Sequence, residues 1–354
     1  MKTNQSILVI NTGSTSTKLA IYLNKTCVET EEILHSREKL DQLNSVMDEI
    51  PERLKIVLDF LDHKGQKYLP LSGIVARGGF VGTVKPGGYC INKIMVDNLH
   101  NSKQEHASNL AACLAFEISN KYGAPAFIYD GVTSDEMPEV AHITGIPELP
   151  KISLAHMLNM RAACHKACEM LGLKYDKSTF VACHLGGGIS LTLHHNGHVI
   201  DTCSDDEGPF APERAGGFQV IRLLEYMERF DTLSEKIRFL RGGSGFVAHL
   251  GTNDVREIEK RIAFGDKKAE LVYEAMAYQI SKAIGSMASV VKNRVDAVIF
   301  TGGVARSPKM AGLIKSRVDY IAPFLVFPGE NEMEALAFGA YRILVGEEKA
   351  REYP

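Results

Sequence analysis

The apolar positions of this chain bracket two small-residue turns in the same way. Ile7 to Tyr22 (ILVINTGSTSTKLAIY) and Phe180 to Leu193 (FVACHLGGGISLTL) each run as an apolar strand, a turn of small or hydroxylic residues, and a second apolar strand. The recurrence half a chain later predicts one hairpin unit used twice. Between the hairpins the pattern predicts a helix over Leu40 to His63, a strand over Leu71 to Val75, an amphipathic helix over Asn101 to Tyr122 and a strand from Pro125 to Tyr129 that ends at Asp130. Beyond the second hairpin it predicts helices over Gln219 to Met227, Val255 to Ala263 and Lys268 to Lys292. A buried strand over Ala297 to Phe300 then runs into Thr301-Gly302-Gly303, followed by a strand over Phe324 to Phe327 and a helix over Asn331 to Val345. This is α/β alternation. Long linkers and low-complexity segments are absent from the sequence, so a domain boundary near residue 150 is expected to be a hinge.

Composition narrows the class. The 354 residues, 45% of them apolar, suffice for two medium domains with sizeable cores. The net charge of -3 comes from 40 basic and 43 acidic residues in mixed order, with no basic stripe suited to a nucleic-acid backbone or an anionic membrane. No apolar run approaches the roughly 20 residues of a membrane helix, and only a few polar residues precede the first strand, so a cytoplasmic chain is expected. Seven cysteines, spread from Cys27 to Cys203 without CxxC spacing, support neither a disulfide framework nor a zinc ribbon.

The two turns carry the chemistry. Glycine lets backbone approach an anion closely, and successive amides in a tight turn form a concave donor site, so a duplicated hairpin suits a polyphosphate gripped from two sides. Gly302-Gly303, straight after a buried strand, is a further candidate contact for a nucleotide base or ribose. Other clusters carry less. His194-His195-Asn196-Gly197-His198 has HxxxH spacing, but Asn196-Gly197 signals a hairpin turn rather than the helix that spacing needs. Cys164 and Cys168 lie in a helical pattern and read as buried or reactive thiols. Asp205-Asp206-Glu207 reads as a solvated acidic loop, and Gly242-Gly243-Ser244-Gly245, lacking a P-loop lysine, as a flexible connection.

Six motifs, in order and across nearly the whole chain, resemble the acetate and butyrate kinase family. They are Ile10-Asn11-Thr12-Gly13-Ser14-Thr15-Ser16-Thr17-Lys18, Ala76-Arg77-Gly78-Gly79, His106-Ala107-Ser108-Asn109, His184-Leu185-Gly186-Gly187-Gly188, Gly208-Pro209-Phe210-Ala211-Pro212-Glu213-Arg214 and Phe300-Thr301-Gly302-Gly303. The GPFAPER segment resembles the butyrate kinase branch. The resemblance implies an α/β, two-lobed, duplicated ribonuclease H-like fold, that of the acetate and sugar kinase, heat-shock ATPase and actin superfamily. It implies a first lobe of residues 1 to 150 completed by 331 to 354, a nucleotide-binding lobe of 151 to 330, a cleft that closes on its substrates, and a homo-oligomer.

The implied reaction joins a short-chain fatty acid and ATP into an acyl phosphate and ADP, reversibly, with Mg2+. Its charge-rich transition state asks for cations and fixed donors. Arg77 and Arg214 suit it because a guanidinium is always charged and its fork matches carboxylate or phosphate, although an isolated arginine is more often a peripheral contact. By resemblance both are catalytic, with His156 and His184 as donors to phosphate oxygens and His106 a weaker candidate near the substrate. The nucleotide contacts implied are Asn11, Gly13, Ser14, Ser16, Lys18, His184, Gly186, Gly187, Gly188, Gly302 and Gly303. Asn11, Asp130 and Glu332 are the implied metal-associated residues, and Glu332 would equally serve a helix dipole. Acetate kinases crowd the substrate methyl with a valine two residues after the first catalytic arginine and a phenylalanine before the catalytic histidine. Gly79 and Ala155 stand there in this chain, implying a roomier acyl pocket that Phe80, Phe210 or Pro212 partly refills. Butyrate kinases usually carry phenylalanine at the Ala155 position, so chain length and branching stay open. Acetate or propionate kinases, a sugar kinase and an actin- or heat-shock-like ATP switch are the alternatives.

Overall fold

The computed structural model describes residues 4–36, 38, 43, 45–102, 106–292, 294–329 and 331–354. They form two compact units, Met1–Asp135 with Asn331–Pro354, and Glu136–Glu330. Glu136 is tied to the second unit because its Oε1 accepts the Val199 amide at 2.8 Å.

The first unit is built on strands β1 (Ser6–Thr12), β2 (Ser16–Leu23), β3 (Thr26–Leu34), β4 (Gly73–Arg77), β5 (Gly88–Cys90) and β6 (Ala126–Tyr129). A C-terminal strand, Arg351–Glu352, completes a seven-stranded sheet by pairing with β5. β1, β2 and β3 run antiparallel, while β1, β4 and β6 lie parallel side by side. All of β1 is buried, as expected of a strand covered on both faces. On one face Leu8 and Ile10 meet Val57 and Phe60 of the helix Ile50–Phe60 and Ala111, Leu114 and Ala115 of the helix Ser108–Tyr122. The helix Glu332–Leu344 also packs on the sheet, so closely that a Cβ at Gly339 would stand 2.5 Å from the Tyr129 ring.

The second unit repeats the plan. β7 (Thr179–Leu185), β8 (Ile189–His195) and β9 (His198–Cys203) form an antiparallel meander, and β10 (Ala297–Gly302) and β11 (Phe324–Pro328) add in parallel beside β7. The order β9-β8-β7-β10-β11 matches β3-β2-β1-β4-β6 strand for strand. Alternate residues of β7 divide the core: Val181, Cys183 and Leu185 face the helix Lys267–Val290, and Phe180 and Ala182 face the helix Met157–Leu171. The described helices include none long and apolar enough to cross a membrane.

Both hairpins, the helix Val255–Ala263 and the Asn196-Gly197 turn follow the apolar pattern, and the turn takes positive φ at both residues. Cys164 and Cys168 lie buried in the helix Met157–Leu171. β4 starts two residues later than expected, and the helix expected from Asn101 starts at Ser108, with 103–105 outside the described residues. Of the helix expected from Leu40, residues 40–42 and 44 are likewise outside them. A 3-10 turn, Val46–Glu49, leads into the helix from Ile50, with Pro51 in its first turn. β3 lacked a strong signal because its side chains are half-buried or exposed and three of its nine residues are glutamates.

His194 shows how tightly the second core is sealed. It is wholly buried, its Nδ1 meets the Tyr175 hydroxyl and its Nε2 the Thr192 hydroxyl, both at 2.7 Å. Burial first, and then the charges of Arg161 and His165, push its pKa down to about 3. The folded ring therefore stays neutral while the unfolded ring takes a proton near pH 6.5, so this contribution to stability is complete above that pH and is lost as pH falls toward about 3. Denaturant titrations should show unfolding free energy falling by about 2 kcal/mol from pH 7 to pH 5 on account of this residue. In His194→Phe that slope should flatten, whatever the variant's absolute stability, and parallel pH profiles would show that His194 is not its source.

Candidate active site

In the first unit the carboxyl ends of three adjacent parallel strands present Asn11 from β1, Arg77 from β4 and Asp130 just after β6. Such ends are where open α/β sheets place ligands. Glu332, in the first turn of its helix, joins two of them: its Oε2 accepts from Asn11 Nδ2 at 2.7 Å and lies 3.3 Å from Arg77 Nη1. Asn11 is 4% exposed, and its Oδ1 has no hydrogen-bond partner among the described residues. Asp130 is buried with φ +44, and its Oδ1 accepts the Gly87 amide at 2.7 Å.

His106 lies beside this group. Its Nδ1 accepts the Ser108 amide at 3.1 Å, which leaves Nε2 to carry the proton of the neutral ring. Burial, and then the charge of Arg77, hold its pKa below the usual histidine range. The Phe80 ring stands edge-on to it, centroids 5.6 Å apart at 74°.

The first turn is fixed by Gly13 N–H donating to Ser16 O at 2.8 Å and, from below, by Arg53, which reaches the carbonyls of Gly13 and Ser16. Lys18 does not join the turn. It pairs across the sheet with Glu32 at 3.5 Å, both half-exposed, because the register sets them opposite one another.

Gly79 requires a correction. A Cβ there would come within 2.2 Å of Asn109 Oδ1 and 2.7 Å of Asn109 Cα. Asn109 is fully buried and accepts the Phe80 amide at 2.8 Å. The glycine therefore serves the close approach of loop and helix, and it leaves no acyl space where a valine would have stood.

In the second unit the turn after β7 closes with Gly186 N–H donating to Gly188 O at 3.0 Å, and Glu213 N–H donates to Gly187 O at 3.0 Å. His184, 1% exposed, stacks on His156 with centroids 3.9 Å apart at 12°. His156 Nδ1 and Ser190 Oγ are 2.8 Å apart. Arg214 directs Nε at Asp205 Oδ2, 3.0 Å away, and Asp205 in turn sits against Gly188, where a Cβ would lie 2.6 Å from the same oxygen.

Of the acidic run, Asp205 turns inward and holds Arg214, while Asp206 and Glu207 are exposed as expected, the first paired with Arg241 and the second accepting the Ser204 amide. Gly242 to Gly245 is not a slack connection. Gly245, at φ +68, lies so close under Ala211 that a Cβ would stand 1.8 Å from its carbonyl oxygen. Only glycine lets that backbone support the Arg214 loop.

A cavity of about 630 Å³ adjoins this turn, lined by Gly186, Gly187, Pro212, Glu213, Asn253, Asp254, Arg256, Glu259, Gly303 and Ser307 among others. Gly303 has open space where a side chain would be. Gly302, in contrast, is needed by the fold: at φ +92 a Cβ would lie 2.4 Å from Leu185 O. Pro212 belongs to this cavity. Phe210 packs edge-on to Phe246 at 6.0 Å. Ala155 is 7% exposed, its methyl buried with Met160, Cys164 and Phe180, so it forms core where a pocket wall was expected. Sequence reading missed Asn253, Asp254, Arg256 and Glu259, in or just before a helix that looked like any solvated amphipathic one, and Arg53, whose partners in the first turn lie far away in the sequence.

The sequence profile of the Acetokinase family matches residues 155–321. The chain is 42% identical over 351 residues to a probable butyrate kinase 2 of Caldanaerobacter subterraneus subsp. tengcongensis, covering 98% of this chain and 99% of that one. It is 39% identical over 353 residues to a probable butyrate kinase of Enterococcus faecalis, covering 99% and 98%. The crystal structure of Porphyromonas gingivalis acetate kinase superposes with a TM-score of 0.80 over 96% of this chain and 100% of that one, at 19% identity, a likeness of fold.

The crowding at Gly79 sets a stability test. Gly79→Ala should lower unfolding free energy by about 1–3 kcal/mol, the usual cost of overpacking, because backbone atoms of Asn109 must move. A denaturant midpoint equal to that of the unaltered chain would show that Asn109 yields freely.

Proposed function

The chain belongs to the acetokinase family, and from that premise we propose that it transfers the γ-phosphoryl group of ATP to a short-chain carboxylate, butyrate or a branched relative, giving the acyl phosphate and ADP, and that it catalyses the reverse reaction. The observation that carries this reading is the grouping in the first unit of the Arg77 guanidinium, the neutral His106 ring and the half-buried phenyl of Phe80. A short fatty acid needs that combination, a cation for its head and apolar surface for its tail. The full-length likeness to probable butyrate kinases supports it.

In the reaction a carboxylate oxygen forms a bond to the γ-phosphorus while the bond from that phosphorus to its bridging oxygen breaks, and ADP leaves with the electron pair. The nucleophile is already ionised, so no base need take a proton, and positioning and charge dominate. Arg77 orients the carboxylate. His106, with its proton on Nε2, donates without adding charge. In the second unit the cavity beside Gly186, Gly187 and Gly303 takes the nucleoside, the turn amides take the phosphates, and Arg214, aimed by Asp205, offsets charge that develops on the equatorial oxygens. The stacked pair His156 and His184 supplies further donors at that turn.

Magnesium, when bound, neutralises phosphate charge. The first unit has oxygens suited to it: the unpartnered Asn11 Oδ1, the Glu332 carboxylate and Asp130. Among the described residues no group of three or more His, Cys, Asp or Glu side chains could hold a metal ion. These residues would therefore hold magnesium largely through its retained waters.

Hydroxylamine trapping of the acyl phosphate across a series of acids and sugars tests the reaction: hydroxamate should form with acids alone, most with butyrate-sized ones. Arg77→Ala and Arg214→Ala should each lower turnover by about a hundredfold or more, the loss of roughly 3 kcal/mol of charge stabilisation. Circular dichroism should show both folded, and near-normal turnover by either would remove that arginine from the mechanism. Phe80→Ala should move the optimum toward longer acids, each added methylene being worth about 0.8 kcal/mol, or roughly fourfold. An unmoved chain-length profile would place the acyl end elsewhere.

A further inference from the structure

Arg53 has no place in the mechanism above, yet it is one of the bulkiest fully buried side chains in the protein, 1% exposed. Its Nη2 donates to Gly13 O at 3.0 Å, and its Nη1 to Ser16 O at 2.9 Å and Thr17 Oγ1 at 3.0 Å. Its Nε donates to Glu49 Oε2 at 2.7 Å, completing an ion pair buried beneath the first turn. A third turn carbonyl, Thr15 O, accepts the His35 amide at 2.8 Å, while His35 Nε2 and Thr17 Oγ1 lie 2.8 Å apart.

The consequence is directional. In a trans peptide the N–H points opposite to the C=O. Holding Gly13 O toward the buried guanidinium turns the Ser14 amide away from it, and holding Thr15 O toward His35 does the same for the Ser16 amide. An anion can settle on such a turn only when amide hydrogens, and not carbonyl oxygens, face it.

We propose that Arg53 is a positioning residue, a buried cation that gathers the carbonyls of the first turn and so aims its amides at the phosphates of ATP. The proposal rests on the kinase reading for the identity of the anion. A merely stabilising ion pair predicts something different, because a buried pair is often replaced by apolar side chains at no loss of stability.

Two variants separate the roles. Arg53→Lys keeps a charge for Glu49 but lacks the fork that spans two carbonyls. The double variant Glu49→Leu with Arg53→Met removes both charges together. Each should melt within several degrees of the unaltered protein, lose at least tenfold in kcat for hydroxamate formation, and keep the KM for butyrate within about twofold. ATP affinity, measured by calorimetry without any acid, should weaken by a similar factor. A folded variant with kcat and ATP affinity within threefold of the unaltered protein would overturn the proposal. Two variants that fail to fold would leave Arg53 a stability residue and overturn it as well. If the unaltered protein forms no acyl phosphate with any acid, the carboxylate reading fails by itself, and the ATP titration still decides the role of Arg53.

Discussion

A glycine turn can face an anion only if its carbonyl oxygens are held elsewhere, and in both units the protein holds several of the turn's carbonyls. In the second unit the backbone alone does it: Gly188 O accepts from Gly186, and Gly187 O from Glu213. In the first unit a side chain is recruited, Arg53, at the cost of burying a cation together with Glu49. The same hairpin topology thus holds its turn carbonyls by two routes. The second route is the more expensive, because desolvating an ion pair consumes much of what the pair gains.

The proposed reaction asks one arginine of each unit to stay aimed while it waits for substrate. Glu332 lies against Arg77 and Asp205 against Arg214, all four side chains partly buried. Arg77 is held by one carboxylate oxygen and keeps several donors for an incoming anion, whereas Arg214 also gives Nη1 to the carbonyls of Arg241 and Glu213 and keeps fewer. In the proposed reaction the lowered pKa of His106 beside Arg77 supplies a donor without a second positive charge that would hold the ionised acid too tightly in the ground state.

The hairpins and parallel strands were legible because a buried strand before a small-residue turn has few other readings. β3 was obscure because an edge strand with an exposed face carries acidic residues where a core strand carries apolar ones. The site was legible as a set of residue types but not as a set of directions. Motifs singled out Asn11 and Arg77 near strand ends, Glu332 at a helix start and Arg214 in a loop, yet could not tell that Lys18 would pair with Glu32 across the sheet or that Asp205 would turn inward to Arg214. Arg53 reads in sequence as an ordinary partner of Glu49 four residues earlier, and its bonds to the turn span 36 to 40 residues.

Glycine is where residue type and direction part most clearly. Gly79, Gly245 and Gly302 stand in segments that suggest ligand contact or slack, and at each the missing side chain makes room for protein: Asn109, Ala211 and Leu185. Gly303 alone of these four leaves open space, and it lines the cavity. A small residue in place of a large one enlarges a pocket only if its Cβ vector enters that pocket. At Gly79 the vector enters a buried helix, and at Ala155 the methyl is already core. Selectivity for the acyl chain must therefore come from side chains the backbone turns toward Arg77. In the proposed reaction Phe80 takes that part, because Asn109 holds its amide and its ring edge meets His106, which feels the charge of Arg77. The helix that forbids a side chain at Gly79 is thus the one that fixes the next residue in place.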